Sequence, residues 1–271
     1  MLTGPVQGYI DAVIETCCKS ECSPLSVILF GSAVAGGFSG AVSDVDLILV
    51  LPNTAGPECR QHLKRAITEL EVLHGFRMDS ARQPGVIESL ANRITKNDHS
   101  FFVCTRADLI SGDAGRILGL IPAQAFFVDR VVIPSIVSSA VTVRGEELLA
   151  QIHLPPIRRL DAFKAFVGFF SQVLLSAGLF PVLRGATGYA MGALKRSVHN
   201  CYFCYHGRKA ALEEEIDFFR NQPGHIHALD QLLSLRSAYA ESFGFVLRCL
   251  PALVRLHFRT ASDNRFPGSL P

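Results

Sequence analysis

Two aspartates, Asp44 and Asp46, stand at the head of the apolar run VDLILVL, and a Gly31-Ser32 pair closes the shorter apolar run SVILF before them. On a strand, residues two apart project from the same face. Carboxylates placed so lie about 6–7 Å apart and repel by about 2–3 kcal/mol at an effective dielectric near 20. A divalent cation removes the conflict, because magnesium binds carboxylate oxygens and keeps positions open for water and phosphate. Gly31 lets the backbone turn sharply and come close to a ligand, and Ser32 adds a hydroxyl that can donate to a phosphate oxygen. The chemistry these residue types point to is phosphoryl-type transfer on two metal ions, which activate an attacking oxygen and stabilise a departing pyrophosphate. A bare Asp-x-Asp has a plainer account, a cap and a solvated acid. The order strand, Gly-Ser, Asp-x-Asp, apolar strand favours the metal.

Elements must hold these residues in place. Residues 5–22 carry Ile10, Val13, Ile14 and Cys17 at helical spacing, 26–30 form a short β-rich run, and 45–51 are apolar enough for a strand covered on both faces. A turn over 52–57 leads into a helix over 58–73, with further strands expected at 76–80 and 100–105. This alternation predicts an α/β unit. From about residue 115 helical spacing takes over, through 120–140, 159–180, 186–206, 209–220 and 227–258, with breaks at Pro155-Pro156, Pro181, Gly185 and Pro223-Gly224. The division expected is an α/β catalytic domain over 1–150 and an all-α helical bundle over 151–271.

The run GSAVAGGFSGAVSDVDLILV resembles the signature of the DNA polymerase β-like nucleotidyltransferases. Within that superfamily it is most similar to aminoglycoside (streptomycin/spectinomycin-type) adenylyltransferases, which share the Gly-Ser-Ala, the Gly-Gly pair and the Ser-Asp-x-Asp in this order. The resemblance implies a mixed sheet with helices followed by a helical bundle. It implies transfer of a nucleoside monophosphate, AMP for an adenylyltransferase, from ATP or another nucleoside triphosphate to an acceptor hydroxyl, with two Mg2+ ions bound. It also implies a third carboxylate on a later strand, completing the metal site or acting as general base. Asp79 in GFRMDSA fits that place, with Glu69, Glu71 and Glu88 as rivals. Cations from the bundle should meet the triphosphate: Lys195 and Arg196 in GALKRSVHN, with Arg184 behind them.

An aminoglycoside-like small molecule is the leading acceptor, and a protein or tRNA, as in toxin–antitoxin nucleotidyltransferases, is the alternative. An inert nucleotide-binding or interaction protein on the same fold is a third reading, against which the retained Asp44 and Asp46 argue. An aminoglycoside is a polycation, which Glu213, Glu214, Glu215 and Asp217 could face. Charge is uneven: residues 1–150 carry 12 Lys/Arg against 16 Asp/Glu, and 151–271 carry 14 against 8. Acidic and basic halves suit a polyanionic small ligand, and the basic excess is too dilute for a dedicated nucleic-acid binder. Acceptor, nucleotide base and oligomeric state are not encoded in any motif.

The eight cysteines lack the density of a disulfide scaffold and are read as reduced thiols of a cytoplasmic protein. His199, Cys201, Cys204 and His206 in HNCYFCYH have metal-like spacing, but the stretch fits a helix and its thiols fit packing. Residues 165–183 approach the length of a membrane span; Ser171, Gln172 and Ser176 inside and Pro181 at the end favour a buried bundle helix, with no membrane partner.

Overall fold

The computed structural model of the protein describes residues 4–19, 22–35, 45–76, 100–120, 130–183 and 185–263. They divide into two compact units. The first holds the described residues up to 76 together with 100–120 and 139–155; the second holds 130–138 and 156–263.

The first unit is built on a mixed four-stranded sheet in the order β3-β2-β1-β4. β1 (Ser26–Phe30) pairs antiparallel with β2 (Asp46–Leu51) and with β4 (Val141–Gly145), while β3 (Phe101–Thr105) runs parallel to β2. All of β1 is buried, as is β2 after its first residue, which explains their unbroken apolar runs. On one face, α1 (Gly4–Lys19) and α3 (Pro57–Leu73) lay Tyr9, Val13, Leu63 and Ile67 against Leu29, Leu47, Leu49 and Phe101. Each such side chain contributes about 1.5–3 kcal/mol by burial. Pro57 opens α3 at its first turn, where its missing N–H costs nothing. Thr105 ends β3 and caps α4 (Arg106–Ile110) through a reciprocal pair with Asp108, and α5 (Ala114–Ile117) follows.

Two features of this unit differ from the sequence reading, and one expectation falls outside the described residues. β4 lies within the 1–150 domain, just after the helical stretch read over 120–140, where no strand is expected. Its side chains are exposed or half-buried, so it lacks an apolar pattern and is held by backbone pairing along β1. The strand expected over 76–80 falls, after Phe76, outside the described residues. The cysteines are not all reduced: Cys22 and Cys59 form a disulfide that ties the segment after α1 to the first turns of α3. The partners are 37 residues apart in the chain, and only the packing of both helices on one sheet face brings them together.

The second unit is helical. α6 (Val132–Val137) is short; α7 (Arg159–Gly178), α8 (Ala186–His206) and α11 (Phe243–Ser262) pack on one another, with α9 (Leu212–Arg220) and α10 (His227–Ser237) beside them. Its core gathers Val173, Leu194, Val198, Phe219, Phe245, Leu253 and Leu256. The stretch 227–258 is two helices rather than one. Between them, Glu241 accepts from the backbone N–H groups of Gly185 and Thr187 at the start of α8, and the Ser242 hydroxyl caps α11 at Phe245. Polar groups satisfying two helix ends thus set the break.

α7 contains most of the apolar stretch and meets the expectation of a buried helix on one face only. Phe166, Phe169, Phe170 and Val173 turn inward, whereas Leu160, Phe163 and Leu174 are exposed. By length and composition alone the helix could cross a membrane, and 28% of its most apolar window is buried. The HNCYFCYH segment lies on α8. Cys201 and Cys204 are buried among apolar side chains, His199 Nδ1 meets Glu215 Oε2 at 2.5 Å, and His206 stacks on Tyr202. The thiols serve packing there.

Candidate active site

β1 runs into Gly31, whose φ of +76° lies in the left-handed region that favours glycine. Ser32 then starts the four-residue helix α2 (Ser32–Ala35), tightened by a hydrogen bond from Val34 N–H to the Gly31 carbonyl. Antiparallel register sets Phe30 opposite Asp46, so the turn after β1 and the start of β2 meet at one end of the sheet. A methyl group placed on Gly31 would collide with the Asp46 carboxylate. Asp46 therefore lies over the turn, and both the dihedral and the space demand glycine.

Asp46 is half-buried, while Val45 before it and Leu47–Leu51 after it are fully buried. A carboxylate in that position is shielded enough to strengthen its electrostatics and open enough to meet a ligand. Its side chain shares a face with Ile48 and Val50, the face opposite Leu47 and Leu49, against which α1 and α3 pack. Gly31, Ser32 and Asp46 are thus brought together. Asp44, Asp79 and Glu88 lie outside the described residues.

The two rivals on α3 can be placed. Glu69 is exposed. Glu71 is buried and accepts a hydrogen bond from the Ser100 hydroxyl just before β3. It sits on the helix-covered side of the sheet beside Tyr9, whose phenol is pushed up first by burial and then by the Glu71 charge. That is the face Asp46 does not share, so the role of Glu71 is to tie α3 to the start of β3. Sequence spacing had no means to separate the faces.

Lys195 and Arg196 fall on α8 in the second unit. Lys195 is half-buried. The Arg196 guanidinium donates to Gln172 Oε1 at 2.7 Å and lies 5.7 Å over the Phe169 ring, and desolvation pushes its pKa down to about 10. Arg184 lies outside the described residues. The acids of α9 are mostly tied up: Glu215 with His199 and the Ala210 N–H, Glu214 with Arg208 and Tyr202, Asp217 with Arg220. Glu213 is exposed.

A glycine turn with an aspartate over it lies at the end of a mixed sheet backed by two helices. Residues 10–100 match the family described as the nucleotidyltransferase domain. Over those residues the chain carries a nucleotidyltransferase domain, and the enzyme class this supports is an NTP-dependent nucleotidyltransferase. Among solved structures, the fold is similar to that of spectinomycin adenyltransferase AAD(9) from Enterococcus faecialis, solved with ATP and spectinomycin. The superposition has a TM-score of 0.54 and 10% sequence identity, and covers 95% of this chain and 99% of that one. At that identity the likeness is one of fold. No curated protein matches the sequence.

Proposed function

We propose that the protein moves a nucleoside monophosphate, AMP from ATP, to a hydroxyl of a small acceptor of the aminoglycoside type, in a magnesium-dependent reaction. The observation that carries this reading is the half-buried Asp46 carboxylate held over Gly31 inside the matched domain. In support of the acceptor class, the similar structure was solved with ATP and spectinomycin and aligns over nearly its whole length.

Hard carboxylate oxygens at the mouth of a buried strand suit magnesium. Asp44, Asp46 and Asp79 would hold it, and two ions there would supply charge to activate the acceptor oxygen and neutralise the departing pyrophosphate. The acceptor oxygen bonds to the α-phosphorus, the bond to pyrophosphate breaks, and the hydroxyl proton passes to Asp79 as general base. The Ser32 hydroxyl and the N–H groups after Gly31 hold phosphate oxygens. Lys195 and Arg196, both on α8, would offset triphosphate charge. Catalysis then comes from positioning and preorganised charge. Residues 1–150 form the catalytic domain in this reading and 151–271 the helical one. The protein works in the cytoplasm, where nucleoside triphosphates are abundant; the Cys22–Cys59 disulfide weighs the other way, and counting free thiols in rapidly quenched extracts decides.

The test is pyrophosphate release from each of the four nucleoside triphosphates with magnesium, with and without aminoglycosides, tRNA or lysate, beside Asp46→Asn. Release that needs magnesium, rises with aminoglycoside and vanishes in the variant supports the reading. Stimulation by tRNA or protein alone moves the acceptor to that class, and nucleotide binding without release under any condition makes the protein an inert binder.

A further inference from the structure

In the second unit, His225 precedes α10, His227 opens it and Asp230 follows within its first turn. One ligand atom from each lies within 4.8 Å of the other two. His225 Nε2 is 2.9 Å from Asp230 Oδ2, and the two imidazoles meet edge to face with centroids 4.4 Å apart. The Asp230 carboxylate has a division of labour. Its Oδ1 is gripped by Arg220 through Nε at 2.8 Å and Nη2 at 2.5 Å, while Oδ2 faces the histidine. An arginine fixing one oxygen of a carboxylate whose other oxygen is presented is the outer-shell arrangement that orients metal ligands.

We propose that His225, His227 and Asp230 form a binding site for a borderline divalent transition-metal ion, zinc being the representative, separate from the nucleotidyl-transfer site. Two neutral imidazoles and a carboxylate are the donors such ions prefer over magnesium or calcium. Bonds of about 2.0–2.2 Å bring tetrahedral donors to about 3.3 Å of one another, a closure the exposed imidazoles make by rotating. The metal would sit between His225 Nε2 and Asp230 Oδ2, with the neutral imidazole of His225 carrying its ring proton on Nδ1.

A second observation points to the same place. His227 and Asp230 line a cavity of about 550 Å³ between α10 and α11, together with Gln231, Arg248 and Arg255. Gln231, which also lines it, has its Oε1 buried with no hydrogen-bond donor among the described residues. The arginines do not close the site to a cation. Arg220 is neutralised by Asp230 and Asp217, Arg255 donates to the His225 carbonyl at 3.1 Å, and Arg248 is exposed. Three protein donors leave the remaining coordination open to the cavity.

The experiment is calorimetric titration of Zn2+ into the chelator-treated full chain at pH 7.5 with saturating magnesium, and the visible spectrum with Co2+. Wild type, Asp46→Asn, His227→Ala and His225→Ala are compared, each checked by circular dichroism. The expected result is one equivalent in wild type and in Asp46→Asn, with affinity at least about 100-fold lower in either histidine variant, more than outer-shell changes cost. The cobalt absorption should fall with it. Binding of equal stoichiometry and affinity in folded His227→Ala or His225→Ala overturns the site, as does absence of binding in wild type. Loss of binding in Asp46→Asn alone would assign the ion to the catalytic carboxylates and equally overturn it. The readout is independent of turnover, so failure of the proposed activity leaves it intact.

Discussion

Gly31→Ala separates positioning from folding. At φ +76° an alanine pays about 1–2 kcal/mol of backbone strain, and its methyl group runs into the Asp46 carboxylate. For a domain of ordinary stability, about 5–15 kcal/mol, that loss leaves well over about 99% of the molecules folded. Unfolding therefore removes almost no activity. Displacement of the carboxylate removes much more: a shift of about 1 Å in a positioned group costs about 100-fold in rate. The assay is magnesium-dependent pyrophosphate release with the best acceptor, beside urea unfolding of the same preparations. The expected pattern is an activity loss of about 100-fold, a raised magnesium requirement and a stability loss of about 1–2 kcal/mol. In an Asp46→Asn background the added loss of rate should shrink, since both changes act through one carboxylate. Activity of Gly31→Ala within about threefold of wild type, against the 100-fold that misplacement costs, would refute the claim that this turn positions Asp46.

Glu71→Gln should keep pyrophosphate release near the wild-type level and lose about 1–3 kcal/mol in urea unfolding, because it weakens the Ser100 bond on the face Asp46 does not share; a rate loss matching Asp46→Asn would return Glu71 to the catalytic set. His257 is held neutral by burial, which pushes it down to about 4, with its ring nitrogens against the Ala162 carbonyl and the Ser197 hydroxyl. The unfolded chain takes up that proton near pH 6.5 and the folded one only near 4, so this stability is complete above pH 6.5 and is lost as pH falls. About 2 kcal/mol should be gone by pH 5, and a pH series of urea midpoints on wild type and His257→Gln should show the slope flattened in the variant. Reducing Cys22–Cys59 opens a loop of 37 residues and should cost up to about 4 kcal/mol, read as a reductant-dependent urea midpoint that Cys59→Ser abolishes.

The sequence by itself determined the parts whose signals are local. The runs SVILF and DLILVL are β1 and β2 because nothing polar interrupts burial on either face, and Pro57 with the spacing of Leu63 and Ile67 makes α3. Gly31-Ser32 and Asp46 were legible because turn, hydroxyl and carboxylate lie within one strand–turn–strand segment. Tertiary structure alone decided what depends on residues distant in the chain. It put Glu71 on the covered face and Asp46 on the other, since the faces are set by register and by where α3 packs. It made an edge strand of Val141–Gly145, whose side chains are mostly exposed and which pairs along β1. It joined Cys22 to Cys59, and it split 227–258 where Glu241 and Ser242 satisfy the ends of two helices. Arg220, at the end of α9, grips the Asp230 carboxylate in the first turn of α10 across the connection between the two helices. Apolar periodicity records which way each residue faces along its own element; which elements then meet is settled by packing and by the need to pair every buried polar group.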